Sequence, residues 1–114
     1  MAGEAIKGHL DALLLAVVAD GPVHGYAVVE RLRERSDGEF NLPEGTVYPA
    51  LHRLEADGLL QSRWTIAAGR RRRQYELTDR GRAALGERSA EWRRFASAVE
   101  QVLGGNAALT RRIA

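Results

Sequence analysis

"LLQSRWTIAAGRRRRQYELT", residues 59–78, sets two runs of β-forming residues on either side of a short, glycine-containing connection. That arrangement predicts a β-hairpin. Trp64 and Ile66 alternate along the first run, Tyr75 and Leu77 along the second. Four consecutive arginines, Arg70 to Arg73, fall at the hairpin tip. By strand alternation Arg71 and Arg73 share a side with Tyr75 and Leu77 and lean over the neighbouring helix. Arg70 and Arg72 point the other way, near the turn, as the freer pair, and either pair could be the one that meets a phosphate backbone. A run of charge is ordinarily a solvated face, so its meaning depends on what the hairpin joins.

Upstream, three helices are expected. Residues 5–19 place Ile6, Leu10, Leu13, Leu14, Val17 and Val18 at helical spacing, and Asp20, Gly21 and Pro22 end the run. A second helix fits from His24 to about Ser36, with Tyr26, Val29 and Leu32 inward, and "SDGEFNLP" then reads as loop. The third runs from about Glu44 to Asp57 on a stripe of Val47, Leu51 and Leu54, with Gly58 placed to stop it. Thr46 as its N-cap would make Pro49 harmless, because no interior hydrogen bond would then be lost. Downstream, a long helix is expected from about Asp79 to Leu103, ended by Gly104, Gly105 and Asn106.

The fold class is therefore mainly α with a small β-hairpin. Residues 1–78 read as a winged helix-turn-helix, 79–104 as a C-terminal dimerisation helix and 105–114 as a flexible tail.

Composition narrows the partners. The 114 residues make one domain, or one with an appendage, and a core modest enough to profit from a partner subunit. Formal net charge is only +2, yet the pI is about 9.5 because nearly all the base is arginine; Lys7 is the only lysine. Guanidinium forks suit phosphate and guanine edges better than ammonium groups do. With no cysteine there is neither a disulfide framework nor a thiolate metal site. The longest apolar run, "ALLLAVVA" at 12–19, is too short to span a bilayer, and "MAGEAIKGHL" lacks the pattern of a signal peptide. A cytoplasmic protein without membrane attachment is the expectation.

With Val47, Leu51 and Leu54 inward, the third helix turns Gly45, Thr46, Pro49, His52, Arg53 and Ala56 outward and leaves Tyr48 at the border. That face is flat at Gly45, Pro49 and Ala56 and bears donors at Thr46, His52 and Arg53. A helix entering a major groove needs both properties. Arg53 is placed to fork onto guanine, and Thr46 or Tyr48 to hold phosphate. Tyr26 and the wing arginines Arg70, Arg71, Arg72 and Arg73 complete the candidate DNA-contacting set. An ordinary solvated face is the alternative, and Glu44, Glu55 and Asp57 would belong to it.

Three stretches together resemble the PadR family of bacterial transcriptional regulators. "HGYAVVERL" (24–32) is similar to that family's second helix, and "LPEGTVYPALHRLEADGLL" (42–60) to its recognition helix. "GRRRRQYELTDRGRAAL" (69–85) looks like its wing and following helix, and the likeness covers about residues 5–103. "LEADGLL" alone occurs in many winged-helix regulators, so the combination carries the weight. The resemblance implies a homodimeric DNA-binding repressor released by a small molecule, in the smaller subgroup with a single C-terminal helix. Pro43 departs from the pattern, standing where many members have a polar helix cap.

Along the last helix Leu85, Trp92, Phe95, Val99 and Val102 recur at spacings of seven, three, four and three, interrupted only by Arg88. Such a helix could fold back on its own domain, but helix one and the hairpin already cover the small core, so the stripe reads as a dimer interface. A two-fold dimer would present two reading helices about 34 Å apart, matching a near-palindromic stretch of double-stranded DNA. Trp92 stands where the family's multidrug-binding members clamp flat aromatic drugs between paired tryptophans. The resemblance thus implies a planar aromatic ligand at Trp92, with Phe95 beside it, and plain packing of a Trp in an apolar stripe is the alternative. Arg94 and Ala96 stand where an acidic residue would favour cationic drugs, so a cationic ligand is not assumed.

His9, His24 and His52 lie on three helices without metal-ligand spacing, and no nucleophile has a recognisable base. No metal, no cofactor and no enzymatic activity are expected. Two other functions stay open: a protein-interaction module on a winged-helix scaffold, and a non-specific nucleic-acid binder. An interaction module has no reason to place base on both the third helix and the hairpin tip, with acidic residues largely elsewhere. A non-specific binder would show no preference between operator and random duplex.

Overall fold

The computed structural model describes the backbone of residues 9–113 and the side chains of residues 9–104. In chain order α1 is Leu10–Val18, β1 Val23–His24, α2 Gly25–Arg35, α3 Glu44–Ala56, β2 Leu60–Ala67, β3 Arg70–Leu77 and α4 Asp79–Ile113. Residues 5–8 of the expected first helix, Ile6 among them, lie outside the described residues.

Helix α1 is apolar on more than one side because α2, α3 and α4 all lie against it. It buries Leu14, Leu15, Val17 and Val18. In α2 the buried positions are Val28 and Leu32. Tyr26, expected inward, is 44% exposed, because its ring leaves the core to lie against His24 and the wing.

Helix α3 starts earlier than a Thr46 cap would place it. The Pro43 carbonyl accepts hydrogen bonds from the amides of Thr46 (3.0 Å) and Val47 (3.1 Å), so Thr46 sits inside the first turn and is not the cap. Pro43 fits as the flanking residue because its fixed φ suits extended backbone there, although it brings no side-chain cap. Pro49 is consequently within the helix, and the Gly45 carbonyl lacks its usual amide partner. Both residues are exposed, so solvent can take that carbonyl's bond. The far end closes as expected. Gly58 adopts φ +79°, while the Leu59 amide donates to the Leu54 carbonyl (2.9 Å) and that of Gly58 to Glu55 (3.0 Å). This is a Schellman closure, with Leu54 and Leu59 both buried.

The hairpin pairs Leu60 with Leu77 at its base and Ala67 with Arg70 at its tip. Ala68 (φ 54°) and Gly69 (φ 76°) form the two-residue turn, the doubly left-handed kind that matches strand twist. β1 adds a third strand in the order β1-β3-β2, pairing Val23 with Tyr75 and His24 with Gln74. A two-residue strand leaves no periodicity to read. The sheet's inner face joins the core through Leu60, Tyr75 and Leu77, then runs off it, leaving Trp64 and Ile66 exposed.

Thr78 caps α4: its hydroxyl accepts from the Gly81 amide (3.0 Å) and donates to the Gly58 carbonyl (2.7 Å). Gly81 is required here, since a β-carbon would overlap the Leu59 carbonyl. The helix does not stop at Leu103 but continues through Gly104, Gly105 and Asn106 to Ile113. Glycine in a helix costs about 1 kcal/mol and, unlike proline, removes no donor, so it weakens the helix without breaking it. The side chains of the expected tail, 105–114, lie outside the described residues.

Candidate nucleic-acid interface

The outward face of α3 is laid out as its periodicity predicts. Gly45, Thr46, Pro49, His52, Arg53 and Ala56 are exposed, and Tyr48 is half-buried. Burial, reinforced by the Glu44 carboxylate, pushes the Tyr48 phenol above its usual pKa, so it stays a neutral donor. Tyr48 and His52 form one wall of a cleft of about 280 Å³ whose other wall is the wing, with Trp64 and Arg71 to Arg73.

The four arginines do not divide by strand alternation. Cross-strand register does put Arg71 and Arg73 on the side of Ile66 and Trp64. Their guanidiniums lie over the Trp64 ring, 4.7 and 5.1 Å from its centroid. Arg72, however, is not free. It is half-buried, its guanidinium carbon stands 4.4 Å from the Tyr26 centroid, and its Nε is buried without a protein partner. Alternation fixes where Cβ points, but a long flexible side chain carries the charge several bonds further. Distance from the turn divides the run instead: Arg70 and Arg71 are exposed, Arg72 and Arg73 half-buried.

Arg73 is committed within the protein. Its Nε donates to the Ser62 hydroxyl (2.8 Å), which donates to Glu55 of α3 (2.6 Å), and its Nη2 lies 3.6 Å from the same carboxylate. Burial, then the charge of Glu55, raises the pKa of the neighbouring Tyr75 phenol. Acidic residues therefore do not stand apart from the basic elements.

The same is true of Arg53. Its fork is filled by Asp11 of α1, with Nη1 to Oδ2 at 2.9 Å and Nη2 to Oδ1 at 2.7 Å. Arg88 of α4 donates to the same carboxylate at 2.9 Å. The Arg53 hydrogen bond, helped by Arg88, outweighs burial and holds the Asp11 carboxyl below its usual range. Asp11 in turn raises the pKa of Arg53. Sequence reading missed Asp11. The available signal was a pair of interruptions: an acid in the apolar α1 and Arg88 as the break in the α4 stripe.

Beside this triad, Leu85 packs on the core, while Trp92, Phe95, Val99 and Val102 are exposed, as is Leu103. His9 meets Trp92 edge to face at 4.9 Å, and Phe95 lies 5.9 Å from Trp92. These rings and the triad line an open cleft of about 570 Å³. His24 hydrogen-bonds Thr65 (2.9 Å) rather than approaching the other histidines. Among the described residues no three potential metal ligands cluster, and no helix is long and apolar enough to cross a membrane.

Residues 14–87 match the model of the transcriptional regulator PadR-like family. The chain belongs to that family. It is a transcriptional regulator and not an enzyme. The PadR-like chain is 42% identical over 92 residues to the transcriptional regulator Rv3488 of Mycobacterium tuberculosis, an alignment covering 81% of this chain and 80% of that one. A PadR family transcription regulator from Clostridium difficile superposes with a TM-score of 0.74 at 34% identity, covering 83% of this chain and 98% of the other. Bacillus subtilis PadR in complex with operator DNA superposes with a TM-score of 0.63 at 25% identity, over 69% of this chain and 45% of that one.

Proposed function

We propose that this PadR-like regulator is a cytoplasmic, sequence-specific DNA-binding repressor that acts as a homodimer and is released by a small planar aromatic molecule. The carrying observation is the juxtaposition of the flat, donor-bearing face of α3 with a wing whose tip exposes Arg70 and Arg71. The operator complex of Bacillus subtilis PadR supports DNA as the partner. Gly45 and Pro49 permit close approach, Thr46 and His52 read base edges, Tyr48 meets the backbone, and the Tyr26 ring braces Arg72 of the wing. Arg70 and Arg71 grip phosphate, while Arg72 and Arg73 hold the wing in place. Arg53, with its fork filled by Asp11, is left out of the reading set.

Residues 1–78 serve as the DNA-binding unit and α4 as the dimerisation helix. The exposed stripe of Trp92, Phe95, Val99 and Val102 supports that assignment, since an uncovered apolar face of this kind marks an interface. Trp92 and Phe95, with His9 against them, offer aromatic faces to a planar ligand. Selection of bound duplexes from a random pool tests the reading. A near-palindrome with half-sites about 10 base pairs apart supports it; a pool with no enriched sequence would leave a non-specific binder. For the ligand, Trp fluorescence is titrated with planar aromatic compounds. Quenching that survives Trp92→Ala removes Trp92 from the site.

A further inference from the structure

The direction in which α4 leaves the DNA-binding unit is held by apolar packing of Ala84 and Leu85 on the core and by two polar seats. The first is the seat of Thr78 and Gly81 on Gly58 and Leu59, at the end of α3. The second lies about 10 Å further along α4, at 1.5 Å per residue, where Arg88 meets the carboxylate of Asp11. That carboxylate also takes both donors of the Arg53 fork, on the exposed side of α3 next to His52. One acid on α1 thus joins the reading helix to the helix that carries the apolar stripe. Arg88 stands one helical turn from both Leu85 and Trp92.

We infer that Asp11 is a positioning residue that sets which half-site spacing the dimer accepts. This rests on the proposed dimeric DNA-binding function. In a two-fold dimer held by α4, the separation and rotation of the two reading helices follow from the angle between α3 and α4 in each protomer. Ala84 and Leu85 hold the start of α4, and the Arg88 seat stiffens the angle one turn further on. Moving a half-site by one base pair shifts it by about 3.4 Å and turns it by about 35°. A stiff dimer can meet such a site only by deforming the DNA. Removing the shared anion would leave Arg53 and Arg88 as facing cations, and α4 beyond Leu85 would be held less stiffly.

The test measures the affinity of the full chain for its selected operator and for versions with the spacer one base pair shorter or longer. Asp11→Asn and Arg88→Gln are compared with the parent. The parent should prefer its own spacing by about tenfold or more, and both variants by about threefold or less. The half-site sequence and the salt dependence should stay unchanged. Arg88→Gln retains the Arg53–Asp11 pair, so a matching effect in the two variants points to the α4 anchor. Spacing preference retained in either variant overturns the inference. So does tighter, more salt-dependent binding by Asp11→Asn alone, which would make Arg53 a phosphate contact released from Asp11. A parent that selects only isolated half-sites would defeat the dimeric reading itself, and this inference with it.

Discussion

Arg72 of the wing lies over Tyr26 of α2, its guanidinium carbon 4.4 Å from the ring centroid. Tyr26 stacks in turn on His24 at 5.7 Å and 11°, and His24 hydrogen-bonds Thr65, the cross-strand neighbour of Arg72. The circuit closes on itself and ties the wing to β1 and the start of α2. A cation over an exposed ring contributes about 0.5–1 kcal/mol. Tyr26→Ala should therefore weaken operator binding by roughly two- to fivefold, while Tyr26→Phe retains most of it. Equal losses in the two variants would assign the effect to the hydroxyl and not to stacking.

The exposed pair at the wing tip should act on all duplexes alike. If Arg70 and Arg71 each neutralise one phosphate in each protomer, changing both to Ala lowers the salt slope of binding by roughly 3 to 4 units, at about 0.9 per contact. Affinity measured against salt concentration gives the slope directly. A loss confined to the operator would make the pair base readers.

Two glycines of α4 should respond oppositely to the same change. Gly81→Ala drives a methyl group into the Leu59 carbonyl and should destabilise the fold by about 1–3 kcal/mol. Gly86→Ala meets nothing within 4 Å and should stabilise it by up to about 1 kcal/mol through helix propensity alone. Denaturant midpoints of the two variants decide the matter.

Acid should weaken the Asp11 triad. The Asp11 carboxyl lies below its ordinary value of 3.8 in the folded protein. Its contribution to stability is thus complete above that value and is lost as pH falls through the lower, folded one. Asp11→Asn should flatten the fall in stability below about pH 4 and change little of its slope near neutrality. An unchanged acid limb would show that the carboxylate gains nothing from its two arginines.

The elements were legible because each carries its own local signal. Helical spacing marks α1 and α3, Gly58 marks a left-handed stop, and the glycine-containing break marks the hairpin. What escaped was tertiary. β1 is two residues long and exists only because β3 offers it an edge. Tyr26 reads as a core residue by spacing, yet its ring lies under an arginine from the wing. The outward face of α3 was predicted residue by residue, but not that Arg53 on that face is held by an acid 42 residues away. Charge pairing between distant elements leaves no periodicity in a sequence.

In the proposed function α3 reads sequence while the wing grips backbone. The most direct measurement is the dissociation constant for the selected operator against a shuffled duplex at one stated salt concentration, for the parent, Thr46→Ala/His52→Ala and Arg70→Ala/Arg71→Ala. The parent ratio should be about 10³ or more. That ratio should fall sharply in the α3 variant and persist in the wing variant, as both its affinities drop together. A parent ratio near one, or a ratio lost only when the wing is changed, would contradict it.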